Sequence, residues 1–452
     1  MDIAGKDITI IGTGRTARAL ARLILSRGGR PFLSDSADLA PDHPARIELD
    51  TLGAAYEVGG HTGLALERAA LFIPSPGVSP KIPVIAEAIE RGIPVMSEME
   101  FAWHFCKARI LAVTGTNGKT TTTALLHAMV EACGRSCMLA GNNDLPLSAA
   151  VLADPAPEFI VLEVSSYQVE LAREFRPEVA AVLNLTPDHL ARHGTMENYA
   201  AVKQRIFARQ QGGDVAVVNA DDEWTAGMET ADADRRAFSL RHPIEGGSWF
   251  DGAAFRSGDT VLATAEDNPL PGRHNIENVT AALTMAHAAG LPLAGVREGL
   301  RGFRGVEHRI ERVTTQDGIA WYNDSKATNI DSLKVALESF DERVVLIAGG
   351  QGKGSDYRVL RGLVGARVKH LVTLGQDAPL LEAAFGDLVP CTRATDMDEA
   401  VLQAGEATRG GGTVLLSPAC ASFDMYGNFE ERGRHFKECV RRLTSVTEEA
   451  AS

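Results

Sequence analysis

The feature that most constrains this chain is a nine-residue run, Thr114-Gly115-Thr116-Asn117-Gly118-Lys119-Thr120-Thr121-Thr122, set between an apolar stretch and a helical pattern. Arg109–Val113 reads as a strand, and Thr120–Ala132 as a helix closed by Gly134. A glycine-rich turn from strand to helix aims consecutive backbone N–H groups at one point, with the positive end of the helix dipole behind them. Lys119 at its end can reach the outer phosphates of a triphosphate, and the Thr120 hydroxyl can hold Mg²⁺. The loop is a shortened GxxGK[ST] form, because Val113 stands where the longer pattern has its first glycine. We expect an ATP site built from Gly115, Thr116, Asn117, Gly118, Lys119, Thr120 and Thr121. The bland alternative is a glycine turn carrying an exposed lysine.

The same strand–turn–helix order occurs on both sides of this run. Towards the N-terminus, Asp7–Ile11 reads as a strand, Thr16–Arg27 as a helix and Pro31–Ser34 as a strand. Towards the C-terminus, Val344–Ala348 runs into Gly349-Gly350, and Leu371–Leu374 and Val414–Ser417 read as later strands. Such alternation predicts βαβ units and parallel sheets. Three starts predict an α/β protein of three domains, with joints near Met96–Trp103 and Gly302–Gly305: residues 1–98, 99–305 and 306–452.

Composition narrows the partners. Acidic residues outnumber basic ones, 59 to 45, for a formal charge of −14. A chain this acidic is a poor binder of nucleic acid or anionic membranes, so any anionic ligand requires its cations to converge locally. The six cysteines contain no CxxC pair, which suits free thiols in a reducing compartment. Met1-Asp2-Ile3 opens no signal peptide, and no apolar run approaches a membrane span. The expectation is a cytoplasmic protein.

Further clusters stand at strand ends, where α/β sheets gather ligands. Gly12-Thr13-Gly14-Arg15-Thr16-Ala17 follows the first strand, and Asp35 follows about twenty residues on, as a ribose-binding acid would. This reads as a dinucleotide site, or as a tight turn with no ligand. Glu163 ends the strand Phe159–Val164, where a carboxylate can hold nucleotide-bound Mg²⁺. His189, beside Asp188, follows the strand Val179–Leu183. Lys203 lies in the helical pattern Glu197–Ala208 and by itself reads as solvated. The last third holds His308-Arg309, Asn323–Asn329, Gly349–Lys353 and Ser417–Asp424, each after a strand or glycine turn.

Together these motifs resemble the Mur ligase family over essentially the whole length. Thr114–Thr122 is similar to the ATP loop shared by Mur ligases and folylpolyglutamate synthases. Asn323–Asn329, Ser417–Asp424 and Asn428-Phe429-Glu430 resemble the glutamate-adding member. The resemblance implies a Rossmann-like first domain holding a uridine nucleotide in place of NAD, a central P-loop ATPase-type domain and a Rossmann-like third domain. It implies that Asp35 and Ser36 face the uracil. Arg15, Thr16, Ser75 and Gly77 would lie along the uridine and diphosphate, and Asn142 near the diphosphate-sugar. Within Gly141–Pro146 this chain has Asn143-Asp144 where relatives have an apolar–Gly pair.

The resemblance further implies that Thr120, Glu163, His189 and Lys203, the last as a carbamate, form an Mg²⁺ site. Asn275 would contact the nucleotide, Arg309 the terminal phosphate and Asp324 the ribose. Lys326, Thr328, Lys353, Ser422 and the Phe429 backbone would fix the incoming glutamate. The implied activity is ATP-dependent addition of glutamate to a UDP-muramoyl-alanine through an acyl phosphate, by a monomer, with Lys119, Glu163, His189, Lys203 and Arg309 as the catalytic group. A folylpolyglutamate synthase-like ligase would leave Gly12–Ala17 and Ser75–Gly77 unexplained. A non-catalytic nucleotide sensor would have no need of the third-domain lysines, and a nicotinamide oxidoreductase is a further alternative.

Overall fold

A computed structural model describes residues 1–142, 145–352 and 354–451. Its strands form three sheets, one for each start of the sequence pattern. The first contains β1 (Asp7–Ile11), β2 (Arg30–Ser34), β3 (Ala55–Glu57) and β4 (Ala69–Pro74) in the order 3-2-1-4. All its neighbours are parallel. The second contains β5 (Arg109–Thr114), β6 (Cys137–Gly141), β7 (Phe159–Glu163), β8 (Val179–Val182), β9 (Val215–Asn219), β10 (Asp234–Ser239), β11 (Ser248–Phe250), β12 (Ala254–Ser257) and β13 (Thr260–Thr264). Their order is 13-12-11-10-9-8-5-7-6, antiparallel only along β11–β12–β13. The third contains β14 (Glu311–Gln316), β15 (Ile319–Asn323), β16 (Val344–Gly349), β17 (Val368–Leu374), β18 (Cys391–Arg393) and β19 (Gly412–Leu416) in the order 14-15-19-16-17-18. Packing divides the chain into two units, Met1–Asn268 with Ile276–Gly302, and Pro269–Asn275 with Phe303–Ser452.

Central strands of parallel sheets are covered on both faces and so are apolar throughout. Leu111, Ala112 and Val113 of β5, Val161 and Leu162 of β7, and Ala180–Val182 of β8 are all fully buried. The helix Arg15–Ser26 follows the 3.6-residue period, burying Ala17, Leu20, Ala21 and Ile24 and exposing Arg18 and Arg22 less or more fully towards solvent. The helix Lys119–Ala132 is held close to the helix Leu293–Gly302 by glycine: a Cβ on Gly299 would stand 2.6 Å from the Met129 Cα. That contact fixes the axis on which the phosphate-type loop sits.

Each sheet changes the direction of strand progression once near its centre. In the first this occurs at β1 and β4, in the second at β5 and β8, and in the third around β19, which returns between β15 and β16. Loops leaving the carboxyl ends of such neighbours diverge and open a crevice. The pattern Glu197–Ala208 forms the helix Met196–Gln204, capped by the Thr195 side chain, and then a tighter turn, Arg205–Phe207, that buries Ile206 and Phe207. All six cysteines are unpaired. Among the described residues no helix is long and apolar enough to cross a membrane.

Candidate functional site

The glycine-rich loop follows β5 as expected, and its helix begins at Lys119. Gly118 has φ +81°, and a Cβ there would lie 2.1 Å from Asn278 Oδ1, so this position admits only glycine. Asn184, at the end of β8, clamps the loop from the side. The Thr116 N–H donates to its carbonyl at 2.9 Å and the Asn117 N–H to its side-chain oxygen at 2.8 Å. The Lys119 ammonium folds over its own loop, donating to the Gly115 and Thr116 carbonyls at 3.0 and 2.8 Å. Thr120 and Thr121 are half-buried in the first helical turn.

Lys203 contradicts the bland reading of a solvated helix residue. It is 1% exposed, and its amine donates to Thr114 Oγ1 at 3.1 Å and to the Gly115 carbonyl at 2.9 Å. Two lysines therefore converge on one carbonyl oxygen. The Lys203 amine is held well below the ordinary lysine range, first by burial and next by the Lys119 ammonium; Asp188 and Glu163 act in the opposite sense. Glu163 is buried at the end of β7. One of its oxygens accepts from the Asn142 amide at 3.3 Å, and Oε2 is buried with no hydrogen-bond partner. A partnerless carboxylate oxygen is costly unless something positive meets it. A carboxylate oxygen of this kind is a hard donor, the type that Mg²⁺ takes. His189 sits at φ 53°, exposed, its ring 3.1 Å from the Tyr167 hydroxyl and 3.4 Å from Asp188.

In the first sheet, Arg15, Thr16, Ser75, Gly77 and Asn142 line one cleft of about 280 Å³, together with Glu98 and Gln168. Ser75 Oγ is buried there without a partner. Asp35 and Ser36 are not among these lining residues. Asp35 instead fastens the glycine turn: its Oδ2 accepts from the Thr13 N–H at 2.8 Å and the Thr13 hydroxyl at 2.7 Å. Ser36 is exposed beside it. Strands β3, β2 and β1 match one three-stranded mononucleotide half of the six-stranded dinucleotide fold and β4 alone stands beyond them, so the dinucleotide reading of Gly12–Ala17 finds no complete second half in this sheet. Sequence reasoning missed Glu98. In sequence it is an acid in a first helical turn, and in the structure it is buried, with one oxygen on the Ser148 N–H at 2.7 Å and the other partnerless.

The third sheet brings the ends of β15, β19 and β16 side by side. Asp324, just past β15, is buried, and accepts from Ser417 Oγ at 2.8 Å and the Ile310 N–H at 3.2 Å. Burial pushes its carboxyl up to about 7, against the Ser417 hydrogen bond and the nearby Arg309 charge. Arg309 is exposed between His308 and Ile310, both left-handed at φ 63° and 44°. Non-glycine residues in that region each store about 1–3 kcal/mol of strain, which collects at working loops. The Lys326 ammonium lies 5.5 Å from the Phe429 ring centre. Ser422 is buried, Thr328 is half-buried, and the Ala421–Gln351 pair joins the β19 and β16 loops through two 2.9 Å bonds. Asn275 is buried and its amide donates to the Pro271 carbonyl at 2.7 Å, closing the turn before its helix. Lys353, and Asn143-Asp144 of the Gly141–Pro146 loop, lie outside the described residues.

Three family descriptions match the chain: Mur ligase MurD-like, N-terminal domain, over residues 6–97; Mur ligase middle domain over 113–286; and Mur ligase, glutamate ligase domain, over 308–420. A protein of Pelotomaculum thermopropionicum named UDP-N-acetylmuramoylalanine--D-glutamate ligase is 44% identical, covering 98% of this chain and 99% of its own. Proteins of the same name from Salinibacter ruber and Acidobacterium capsulatum are 43% and 41% identical, covering 96% and 97% of this chain and 97% of their own. Among solved structures, MurF from Acinetobacter baumannii superposes with a TM-score of 0.61 at 18% identity, over 97% of this chain and 92% of its own. The UDP-N-acetylmuramate-alanine ligase MurC from Thermotoga maritima gives 0.58 at 19%, over 97% and 99%.

Proposed function

The chain belongs to the Mur ligase family, and from that premise we propose that it joins D-glutamate to UDP-N-acetylmuramoyl-L-alanine at the expense of ATP, a step of peptidoglycan synthesis. The observation that carries the reading is the match along nearly the full length of both chains to relatives named for that reaction.

An amide does not form from a carboxylate and an amine in water until one carboxylate oxygen becomes a leaving group. The alanine carboxylate attacks the γ-phosphorus, the bond to the β–γ bridging oxygen breaks, and ADP departs. The glutamate amine then attacks the acyl carbon, phosphate leaves, and the amine gives up a proton. Bringing a carboxylate to a triphosphate sets like charges together, so the enzyme's task is positioning and neutralisation. Lys119 and Arg309 are assigned that role, with Asn275 on the nucleotide and Asp324 on the ribose.

Thr120, Glu163, His189 and Lys203 as a carbamate are assigned to Mg²⁺, which supplies positive charge to the phosphate oxygens when bound. The partnerless Glu163 oxygen and the crowded Lys203 amine support this. Only a neutral amine combines with CO₂, and the surroundings of Lys203 favour that form.

Residues 1–98 are assigned to the uridine nucleotide, through Arg15, Thr16, Asp35, Ser36, Ser75 and Gly77, with Asn142 at the diphosphate-sugar. Residues 99–305 are assigned to ATP, and 306–452 to glutamate, through Lys326, Thr328, Lys353, Ser422 and Phe429. The protein acts as a monomer in the cytoplasm on small molecules, with no nucleic acid or membrane partner.

Phosphate release from ATP tests the reading. It should fall to background when either the UDP-linked acceptor or D-glutamate is omitted, and L-glutamate should not replace the D-enantiomer. Release with ATP alone, or release dependent on a folate acceptor, would overturn it.

A further inference from the structure

The helix Phe429–Ala451 carries Arg434, Arg441 and Arg442, all exposed, and in sequence Arg432 looks like one more solvated cation. In the structure it is 2% exposed. Its Nε donates to Ser325 Oγ at 3.0 Å, Nη1 to the Ala421 carbonyl at 3.2 Å, and Nη2 to the Ser325 and Cys420 carbonyls at 2.9 and 3.0 Å. Ser325 Oγ in turn donates to the Phe429 carbonyl at 2.8 Å. No ion pair engages Arg432 among the described residues; Asp424 and Asp324 act on it only through space.

A buried cation without a carboxylate is expensive unless fixed dipoles replace water around it. Here the rigid fork of N–H donors meets oxygens from the loops after β15 and β19. The β16 loop is pressed against the same group. A Cβ on Gly350 would come 2.3 Å from the Ala421 carbonyl and 3.1 Å from Arg432 Nη1, at φ +128°. The second glycine of Gly349-Gly350 is therefore required by its left-handed backbone and by the Ala421 carbonyl that the guanidinium also holds. Lys326, Ser422 and Phe429 hang from the segments that Arg432 ties together.

We propose that Arg432 is the positioning residue of the amino-acid site: one guanidinium fixes the ends of β15 and β19 and the start of the last helix, so that Lys326, Ser422 and the Phe429 backbone meet a dicarboxylic amino acid as one preformed surface. Its charge, unanswered by any ion pair, adds to the field that draws the dianion in. Burial lowers its pKa only to about 10, so it is charged at neutral pH. The inference rests on the glutamate-ligase reading.

The test is steady-state phosphate release by Arg432→Met, Arg432→Lys and Ser325→Ala, each substrate varied in turn with the others saturating. Arg432→Met should raise the glutamate KM about tenfold to a hundredfold, the range for losing charge-assisted hydrogen bonds, with both nucleotide KM values within about threefold. Arg432→Lys keeps the charge but not the fork and should recover only part. Ser325→Ala breaks the link to Phe429 with the cation in place and should shift the glutamate KM alone. An unchanged glutamate KM, or equal losses for all three substrates, would overturn the proposal. If Arg432→Met does not fold, the other two variants decide on the same criterion. A parent enzyme whose phosphate release ignores glutamate would overturn the ligase reading instead.

Discussion

Replacing Lys203 by alanine separates a buried structural lysine from a carbamate. Lys203 and Lys119 both donate to the Gly115 carbonyl, at 2.9 and 3.0 Å. Two ammonium groups sharing one oxygen lie about 4–6 Å apart and repel by about 3–4 kcal/mol at an effective dielectric near 20. The two hydrogen bonds from a charged Lys203 would return about 1.5–3 kcal/mol each. Removing an ammonium would therefore change stability little, because relieved repulsion offsets the lost bonds, and turnover should survive. Removing a carbamate takes an anion out of the Mg²⁺ group, and kcat should fall by about a hundredfold or more, given the tenfold to hundredfold loss typical for groups that merely support ligands.

The assay is phosphate release by Lys203→Ala, alongside ATP titration by calorimetry. We expect ATP affinity to be largely kept and turnover lost. Acetate or formate should restore part of the rate, while methylammonium should restore none. Activity of the parent should also fall in rigorously CO₂-free buffer if the carbamate exchanges during the assay. Near-normal turnover of the alanine variant, or rescue by the amine and not by the carboxylate, would refute the reasoning.

Three further outcomes are expected. Asp324 is pushed up to about 7 by burial, so between its ordinary range and 7 the folded chain keeps a proton the unfolded chain has released, and stability falls as pH rises through that window. Asp324→Asn removes this slope: its advantage over the parent in unfolding free energy, read by chemical denaturation, should grow from pH 5 to pH 8, by about 2–4 kcal/mol at most, while ATP affinity drops. An advantage equal at both pH values contradicts the assignment. Gly118→Ala puts a Cβ 2.1 Å from Asn278 Oδ1 and should cost at least about a hundredfold in ATP affinity with the circular dichroism spectrum intact; calorimetry showing parent-like binding would remove the loop from the ATP site. Asp35→Ala unfastens Thr13 and should weaken the UDP-linked acceptor by about tenfold, leaving ATP within about twofold, whereas equal losses for both ligands would contradict separate sites.

Local chemistry was legible in the sequence wherever it depends on a few consecutive residues. The turn Thr114–Thr122 follows from backbone geometry that glycines permit and a strand and helix enforce, so its place after β5 could be read directly. The parallel parts of the three sheets were legible for a similar reason, whereas the antiparallel pairs β11–β12–β13 and β14–β15 were not: strands covered on both faces must be apolar along their length, and helices between them must be amphipathic. What the sequence could not show is which polar side chains are buried against which distant loops. Lys203 reaches Thr114 across 89 positions and Arg432 reaches Ser325 across 107. The other cations of the Arg432 helix are exposed or half-exposed, and no periodicity distinguishes a cation turned to solvent from one turned inward. Asp35 carried the spacing of a ribose acid, and the tertiary structure gives its Oδ2 to Thr13 and its Oδ1 to the Ala37 N–H. Glu98 and Glu163 look alike as acids at element ends, and only packing leaves each with a buried oxygen lacking a partner. Element type is decided by interactions a few residues apart, but the cost of burying charge is settled between segments far apart in the chain, and so the working groups emerge only when the sheets are assembled.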